Sequence, residues 1–444
     1  MKKSLLALAA LSAIAGAAQA QSSVTVYGLM DLGYLGGNTK IANAPSSSAP
    51  GYAGNVTNST SSALSNGAES TNRLGFKGNE VLGGGLSAFF TIEQEITPNA
   101  ANTASTGVNR QTFAGLKKDG LGQFALGTQY TTIFNAVAAT DPGMTNNMMG
   151  NVIYDKGANA YPGFVQTGAT SGAAWTDSAQ QNNTSFTVRA NNMLTLQSDT
   201  FSGFQGNAMF VLNNKNTNQT AVAAPNSGYT AATGTTNSTA WGLGANYTWQ
   251  KLMVTANYQN FTDKSGYTVG ANGQYTAGAP AMNGYGGVDA VGTNDKDNQQ
   301  YYAATYDFGI LKAYIQYINR KTMDVNNSTN YVARTAQQIG VRSFITPTVE
   351  AWASTGTGKF TVSNAGGNTG SVATNTFVGQ TATIGSNSAN FGGFQLGSNY
   401  WLSKRTNLYA IYGQQRTSNQ NYVLNANPTS YNSNNYAVGL RHTF

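Results

Sequence analysis

Segments of about ten residues in which apolar and polar side chains alternate recur along this chain, and a period of two limits each to a β-strand with one apolar face. From Leu86 to Glu95 the even positions Leu86, Ala88, Phe90 and Ile92 are apolar, whereas the odd ones include Ser87, Thr91, Glu93 and Glu95. From Leu252 the split is Leu252, Val254, Ala256 and Tyr258 against Thr255, Asn257 and Gln259, and from Leu311 it is Leu311, Ala313, Ile315 and Tyr317 against Lys312, Gln316 and Arg320. A one-residue slip would exchange the faces, so the two sets are sharply assigned. Thr406 to Gln414 is less regular, mixing Leu408 and Tyr412 with Tyr409 and Ile411. That is the pattern of a wall packed partly against protein, and a subunit interface is one explanation.

The solvent that the apolar faces meet follows from composition. Charged residues make up 9% of the chain, far below the roughly 25% of soluble domains. With 11% aromatic residues the chain is not a disordered one either. At the N-terminus Lys2 and Lys3 precede an apolar run from Leu5 to about Ala18, closed by the small residues of Ala18-Gln19-Ala20. This is the pattern of a secretory leader over residues 1–20, leaving 21–444 as one barrel domain. No other run approaches the ~20 apolar residues of a spanning helix. A membrane chain without spanning helices has to close its strands into a barrel, because hydrocarbon offers no partner to a free N–H or C=O. Cysteine is absent, which excludes disulfide staples and thiolate metal sites.

Sixteen antiparallel strands are expected, near 23–35, 69–78, 86–95, 109–116, 122–130, 188–197, 204–213, 240–249, 252–260, 299–308, 311–320, 333–343, 348–356, 391–401, 406–415 and 435–444. Their connections alternate in length. Tight turns such as 250–251 and 309–310 contrast with long Asn-, Ser-, Thr- and Gly-rich segments at 36–68, 214–238, 261–298 and 357–390. Short periplasmic turns and long external loops are the asymmetry of outer-membrane barrels. Trp249 and Trp401 fall beside short turns, where interfacial aromatics belong.

From the first strand to the last residue the chain resembles the Gram-negative general porins of the sixteen-stranded trimeric kind. The residues that carry the likeness are Val24-Thr25-Val26-Tyr27-Gly28 with Asp31, Arg73-Leu74-Gly75-Phe76-Lys77-Gly78 running into Leu82-Gly83-Gly84-Gly85-Leu86, Asn109-Arg110-Gln111, Leu126-Gly127, Leu402-Ser403-Lys404-Arg405-Thr406, and the closing Val438-Gly439-Leu440-Arg441-His442-Thr443-Phe444. The resemblance implies a homotrimer in the outer membrane, a C-terminal Phe444 read by the barrel-assembly machinery, and a third loop, about 131–185, folded into the lumen. It implies that Asp141 and Asp155 of that loop face basic side chains, and that Arg73, Arg110 and Arg189 form the basic wall of a constriction. Thr128 stands where the family often has a further basic residue, which implies a weaker field.

Strand parity adds to the lumen Asp31, Lys77, Glu93, Glu95, Lys312, Arg320, Arg334, Arg342, Glu350 and Arg441, since a cation facing lipid near midplane costs about 2–4 kcal/mol. The net charge is +7, of which two charges belong to the leader, and the basic excess points to a weak anion preference. The single histidine, His442, has lipid-side parity, so no Ser/His nucleophile pair is expected and the chain does not read as an enzyme. Glu93 and Glu95 read as lumen charges and not as an acid/base couple. No cofactor is implied, although Asp295 and Asp297 leave a loop-borne Ca²⁺ site open. Gly83-Gly84-Gly85 reads as a turn, and the scattered cations form no nucleic-acid stripe. The expected function is passive diffusion of ions and small hydrophilic solutes. A solute-selective channel with an internal binding site and a non-conducting adhesin barrel are the alternatives.

Overall fold

A computed structural model of the chain describes residues 23–43, 55–98, 109–155, 183–215, 231–233, 236–264, 267–269, 275–277, 294–325, 328, 331–363, 386–420 and 429–444. The leader expected over 1–20 lies outside them. The strands are β1 (Ser23–Asn43), β2 (Asn55–Asn66), β3 (Arg73–Gly83), β4 (Leu86–Glu95), β5 (Asn109–Lys118), β6 (Gly122–Tyr130), β7 (Arg189–Ser198), β8 (Phe204–Lys215), β9 (Ala231–Thr233), β10 (Thr236–Trp249), β11 (Leu252–Lys264), β12 (Tyr267–Val269), β13 (Tyr275–Ala277), β14 (Asn294–Asp307), β15 (Lys312–Asp324), β16 (Tyr331–Phe344), β17 (Val349–Ser363), β18 (Ser386–Trp401), β19 (Thr406–Gln420) and β20 (Thr429–Thr443). β9, β12 and β13 form a small separate sheet, and the other seventeen form one antiparallel sheet that closes where β1 pairs with β20.

Seventeen strands make sixteen staves. β1 pairs with β3 over Ser23–Leu29 and with β2 over Leu32–Asn43, so β2 and β3 stand end to end in one position of the wall. The stave expected at 69–78 is therefore corrected to 55–66 and 73–83, with 67–72 turned into the barrel. The mutual bonds between Gly28 and Phe444, both 3.1 Å, secure the seam at its turn end.

The protein is inside-out relative to a soluble fold. Arg334, Gln338, Gln395 and Gln259 are buried, while Leu126, Leu243, Ile315, Ile339, Leu396 and Val438 are exposed on the outer face. No helix among the described residues is long and apolar enough to cross a membrane, and the outer apolar belt assigns that crossing to the strands. On the loop side the strands run several residues past their expected ends. β17 continues to Ser363 and β14 begins at Asn294. Beyond the membrane both faces of the wall are wet, so the ladder persists after the hydrophobic period has stopped.

Two expectations about faces change. Tyr409 and Ile411 point inward and pack with Ala68, Met148, Trp352 and Ala437, so an interior cluster and not a subunit contact breaks the alternation of β19. Trp401 turns to the inner rim, where its Nε1 donates to Glu350 Oε2 at 3.2 Å. Trp249 stays on the outer face, as expected.

The third loop opens with α1 (Thr132–Thr140), which alternation alone did not reveal. Thr131 caps it by accepting the Phe134 N–H at 3.2 Å. Ile133, Ala136 and Val137, at helical spacing, are buried with Val152, Ile153, Phe186, Tyr301, Ile318, Phe360 and Phe391 in an apolar cluster on the inner wall. Pro142 keeps Asp141 extended and ends the helix. Each fully buried Ile, Val or Phe contributes about 1.5–3 kcal/mol, which fixes this half of the loop to the wall.

Candidate functional site

The three arginines expected in the basic wall converge on one patch of the inner face. Arg110 Nε donates to Glu93 Oε1 at 2.8 Å and its Nη2 to the Tyr130 hydroxyl at 2.9 Å. Arg73 reaches the same Glu93 oxygen at 3.8 Å and is a quarter exposed. The Arg189 guanidinium lies 5.3 Å from the centre of the Tyr130 ring, and its Nε and Nη1 have no hydrogen-bond partner among the described residues. Tyr27 donates to the other Glu93 oxygen at 3.1 Å. Two register shifts aim these groups. Asn109 pairs with Gln94 and Gln111 with Glu93, which leaves Arg110 in a bulge, and Gly127 and Gln129 pair with Met193 and Ala190, which skips Thr128, Asn191 and Asn192. A bulge re-aims its extra side chain, so parity is not enough to place Arg110. Thr128 bonds Asn191 at 3.1 Å.

The loop acids meet a different set of cations. Asp155 pairs with Arg334 at 3.0 Å with both side chains fully buried, and Arg334 Nη2 also donates to the Val152 carbonyl at 2.8 Å. Asp141 accepts from the Thr145 N–H at 2.7 Å, Asn151 at 2.8 Å and Gln338 at 3.3 Å. Burial pushes its carboxyl above the ordinary carboxylate range, against the opposing pull of those donors and of Arg342. Arg342 donates to the Pro142 carbonyl at 2.8 Å and pairs with Glu350 at 2.5 Å.

The remaining predicted lumen groups have structural partners. Asp31 accepts from Tyr409 at 2.6 Å and from the backbone of Glu69 and Ser70 at 2.8 and 2.6 Å, so it anchors the in-turned segment 67–72. Arg441 holds Ser70 at 3.2 Å. Lys77 lies over Tyr27 and Lys312 over Tyr314, each 5.3 Å from the ring centre. Glu95 is buried opposite Arg73. Arg320 grips Asp297 through Nε at 3.1 Å and Nη2 at 2.7 Å, which places Asp297 in an ion pair inside the barrel and not at a loop cation site; the Asp295 side chain lies outside the described residues. His442 is exposed on the outer face beside Thr406, at 2.8 Å.

Two features escaped the sequence reading. Segment 67–72 forms a second inward element, tied to the third loop by Asn147 N–H to the Ala68 carbonyl at 3.0 Å and Asn147 Nδ2 to the Gly67 carbonyl at 2.6 Å. The loop also rests on a track of strand glycines. Cβ atoms at Gly340, Gly356, Gly393 and Gly413 would collide with Pro142, Val152, Gly150 and Met149 of the loop. Isolated glycines inside strands signal close backbone approach, and Gly340, Gly356 and Gly413 carried that signal, whereas Gly393 follows Gly392. Gly413→Val should therefore lift the loop from its seat, lowering stability by about 1–3 kcal/mol and altering single-channel conductance. Gly392→Ala, where a Cβ has room, should do neither; equal behaviour of the two variants in thermal unfolding and bilayer recording would contradict the seat.

A family model described as Gram-negative porin matches residues 7–420. An outer membrane porin protein of Bordetella pertussis is 29% identical over 469 aligned positions that span all of both chains. Outer membrane porin protein 32 of Delftia acidovorans is 31% identical over 50% of this chain and 52% of its own. Among solved structures, the anion-selective porin from Comamonas acidovorans aligns over 96% of this chain and all of that one with a TM-score of 0.57 and 18% identity, a likeness of fold.

Proposed function

The chain belongs to the Gram-negative porin family, and from that premise we propose that it is a trimeric outer-membrane pore through which ions and small hydrophilic solutes diffuse passively, with a weak preference for anions. The observation that carries the reading is the convergence of Arg73, Arg110 and Arg189 on one inner patch, where Glu93 is paired with Arg110 and Arg73. The loop carboxylates do not cancel this patch, because Asp155 is held by Arg334 and Asp141 lies among donors beside Arg342. A passing anion meets cations already fixed in place, so no reorganisation is required as it crosses and no energy source is involved. Arg441, held on Ser70, extends the basic side of the wall. Exclusion by size belongs to the third loop and segment 67–72 acting together. In this reading the chain conducts and does not catalyse. Phe444, whose backbone closes the seam, is the residue the assembly machinery reads, and the outer apolar belt is shared between lipid and neighbouring subunits.

Single-channel recording in planar bilayers under a salt gradient tests this. The expected result is an open channel whose reversal potential has the anion sign at low salt and shrinks as salt rises, because the screening length falls from about 10 Å at 0.1 M to about 3 Å at 1 M. Insertion without conductance would overturn the pore in favour of a surface-binding barrel. Saturating, mutually competitive solute currents would replace general diffusion by an internal binding site.

A further inference from the structure

Between the arginine patch and the turn side of the barrel, the inner wall carries aromatic rings where a sieve for hydrophilic solutes calls for polar groups. The strand register places them in successive rows. Tyr27 pairs with Gly75, which pairs with Glu93, so Tyr27 lies in the row of the patch. One row nearer the turns, Thr91 pairs with Lys77 on one side and Phe113 on the other. In the next row Phe89 pairs with Gly115. Rows on one face are two residues, or about 7 Å, apart.

All of these side chains face inward. Phe89 and Thr91 share the face of the buried Glu93 by alternation, and their cross-strand partners share it with them. A Cβ at Gly115 would lie 2.7 Å from the Phe89 ring and 2.9 Å from Ala125, which is buried between the exposed Phe124 and Leu126. Phe89 and Phe113 meet edge to face, with ring centres 6.2 Å apart. Both are only half-buried, as is Tyr27, so part of each ring is left to the lumen. At the patch itself Tyr130 and Phe134 stack with their centres 4.1 Å apart, and both are half-buried as well.

Cations run beside the rings. Lys77 is exposed in the row of Phe113, with its Nζ 5.3 Å from the centre of the Tyr27 ring and no ion-pair partner among the described residues. Arg73, a quarter exposed, stands above it. Glu93 is the acid of these rows, and its oxygens are already engaged by Arg110, Arg73 and Tyr27. Water gains nothing from ring faces, whereas a solute with its own ring can cover them in the edge-to-face or offset geometry that aromatic pairs favour. The free cations supply the complement to a negative charge on the same solute.

We propose that this lane favours small aromatic carboxylates, anions of the benzoate class, with Phe89 and Phe113 as the specificity-determining residues. The carboxylate passes from Arg73 to Lys77 while the ring slides against Phe113 and then Phe89. The inference rests on the pore reading and names a solute class for it. One aromatic contact changes partition by about two- to tenfold, enough to bias diffusion but too little to hold a solute in place.

The test uses the full barrel in planar bilayers, with chloride on one side and either benzoate or cyclohexanecarboxylate on the other. Reversal potentials in the wild type should make benzoate about two- to tenfold more permeant than its saturated counterpart. Phe89→Leu/Phe113→Leu keeps the apolar bulk and removes the rings, and should bring the two anions close to parity. Phe90→Leu, on the opposite face of the same strand, should keep the wild-type ratio. Parity in a wild-type channel that conducts chloride would overturn the lane and leave the pore standing, as would a double variant with the wild-type ratio. A wild type that inserts without any chloride current would instead overturn the pore reading on which the lane rests. If the double variant does not insert, Phe113→Leu alone carries the test, with a smaller fall in the ratio expected and an unchanged ratio overturning the proposal.

Discussion

Replacing Arg334 with methionine is expected to destabilise the barrel by about 3–5 kcal/mol, because it leaves the Asp155 carboxylate buried without its cation. Both side chains of the pair are fully buried, and the remaining neighbours of Asp155 include Thr184 at 2.9 Å and Gln415 at 3.4 Å, which are neutral. The same guanidinium lies 4.5 Å from the centre of the Phe391 ring and bonds the Val152 carbonyl, so its loss also removes one of the bonds that hold the loop backbone to β16. One strand away, Arg320 holds the Asn183 carbonyl at 2.9 Å. The two stems of segment 156–182 are therefore pinned by buried arginines on adjacent strands. Loosening one stem should appear in bilayers as added current noise and in detergent as a lower unfolding temperature. The double variant Arg334→Met/Asp155→Leu should recover most of the loss, since removing both charges removes the stranded one. A single variant as stable and as quiet as the wild type would show that the pair does not anchor the loop.

The legible part of the fold was the part where lipid imposes a period. Leu252–Gln259 and Leu311–Arg320 have the faces that alternation assigned them, with Thr255, Gln259, Gln316 and Arg320 buried and Ile315 and Tyr317 exposed. Where one face does not meet lipid, the signal fails for identifiable reasons. Tyr409 and Ile411 are apolar because they meet Met148 and Ala68 inside the barrel. Segment 67–72 carries the polar residues of a lumen strand, yet Asp31 and Arg441 draw it off the wall. α1 hides in a stretch read only for loop composition. Within the site, the identity of the wall arginines was legible, whereas their partners were not. Glu93 and Tyr130 join Arg110 through a bulge that no periodic reading can place, and the pairings of Arg334 and Arg342 depend on the path of a loop more than 170 residues away in sequence.

Neutralising the basic patch should reverse the sign of the channel's selectivity. An ion about 8 Å from a guanidinium in water-like surroundings feels about 0.5 kcal/mol, reduced to about 0.2 kcal/mol by salt near the physiological range. That energy favours an anion and disfavours a cation equally, so each arginine changes the anion-to-cation ratio by roughly a factor of two. Arg73→Gln/Arg110→Gln/Arg189→Gln should then shift the ratio about five- to tenfold towards cations at physiological salt and further at low salt, where screening weakens. Glutamine keeps a donor near Glu93 and Tyr130, which limits repacking, but Glu93 and Glu95 are left without these three cations. A further Glu93→Gln change should return the reversal potential part of the way, a behaviour that general disruption of the lumen would not produce. A reversal potential unmoved at low salt in the triple variant would remove these arginines from the path of the ion, and the anion preference would have to come from cations elsewhere on the inner face.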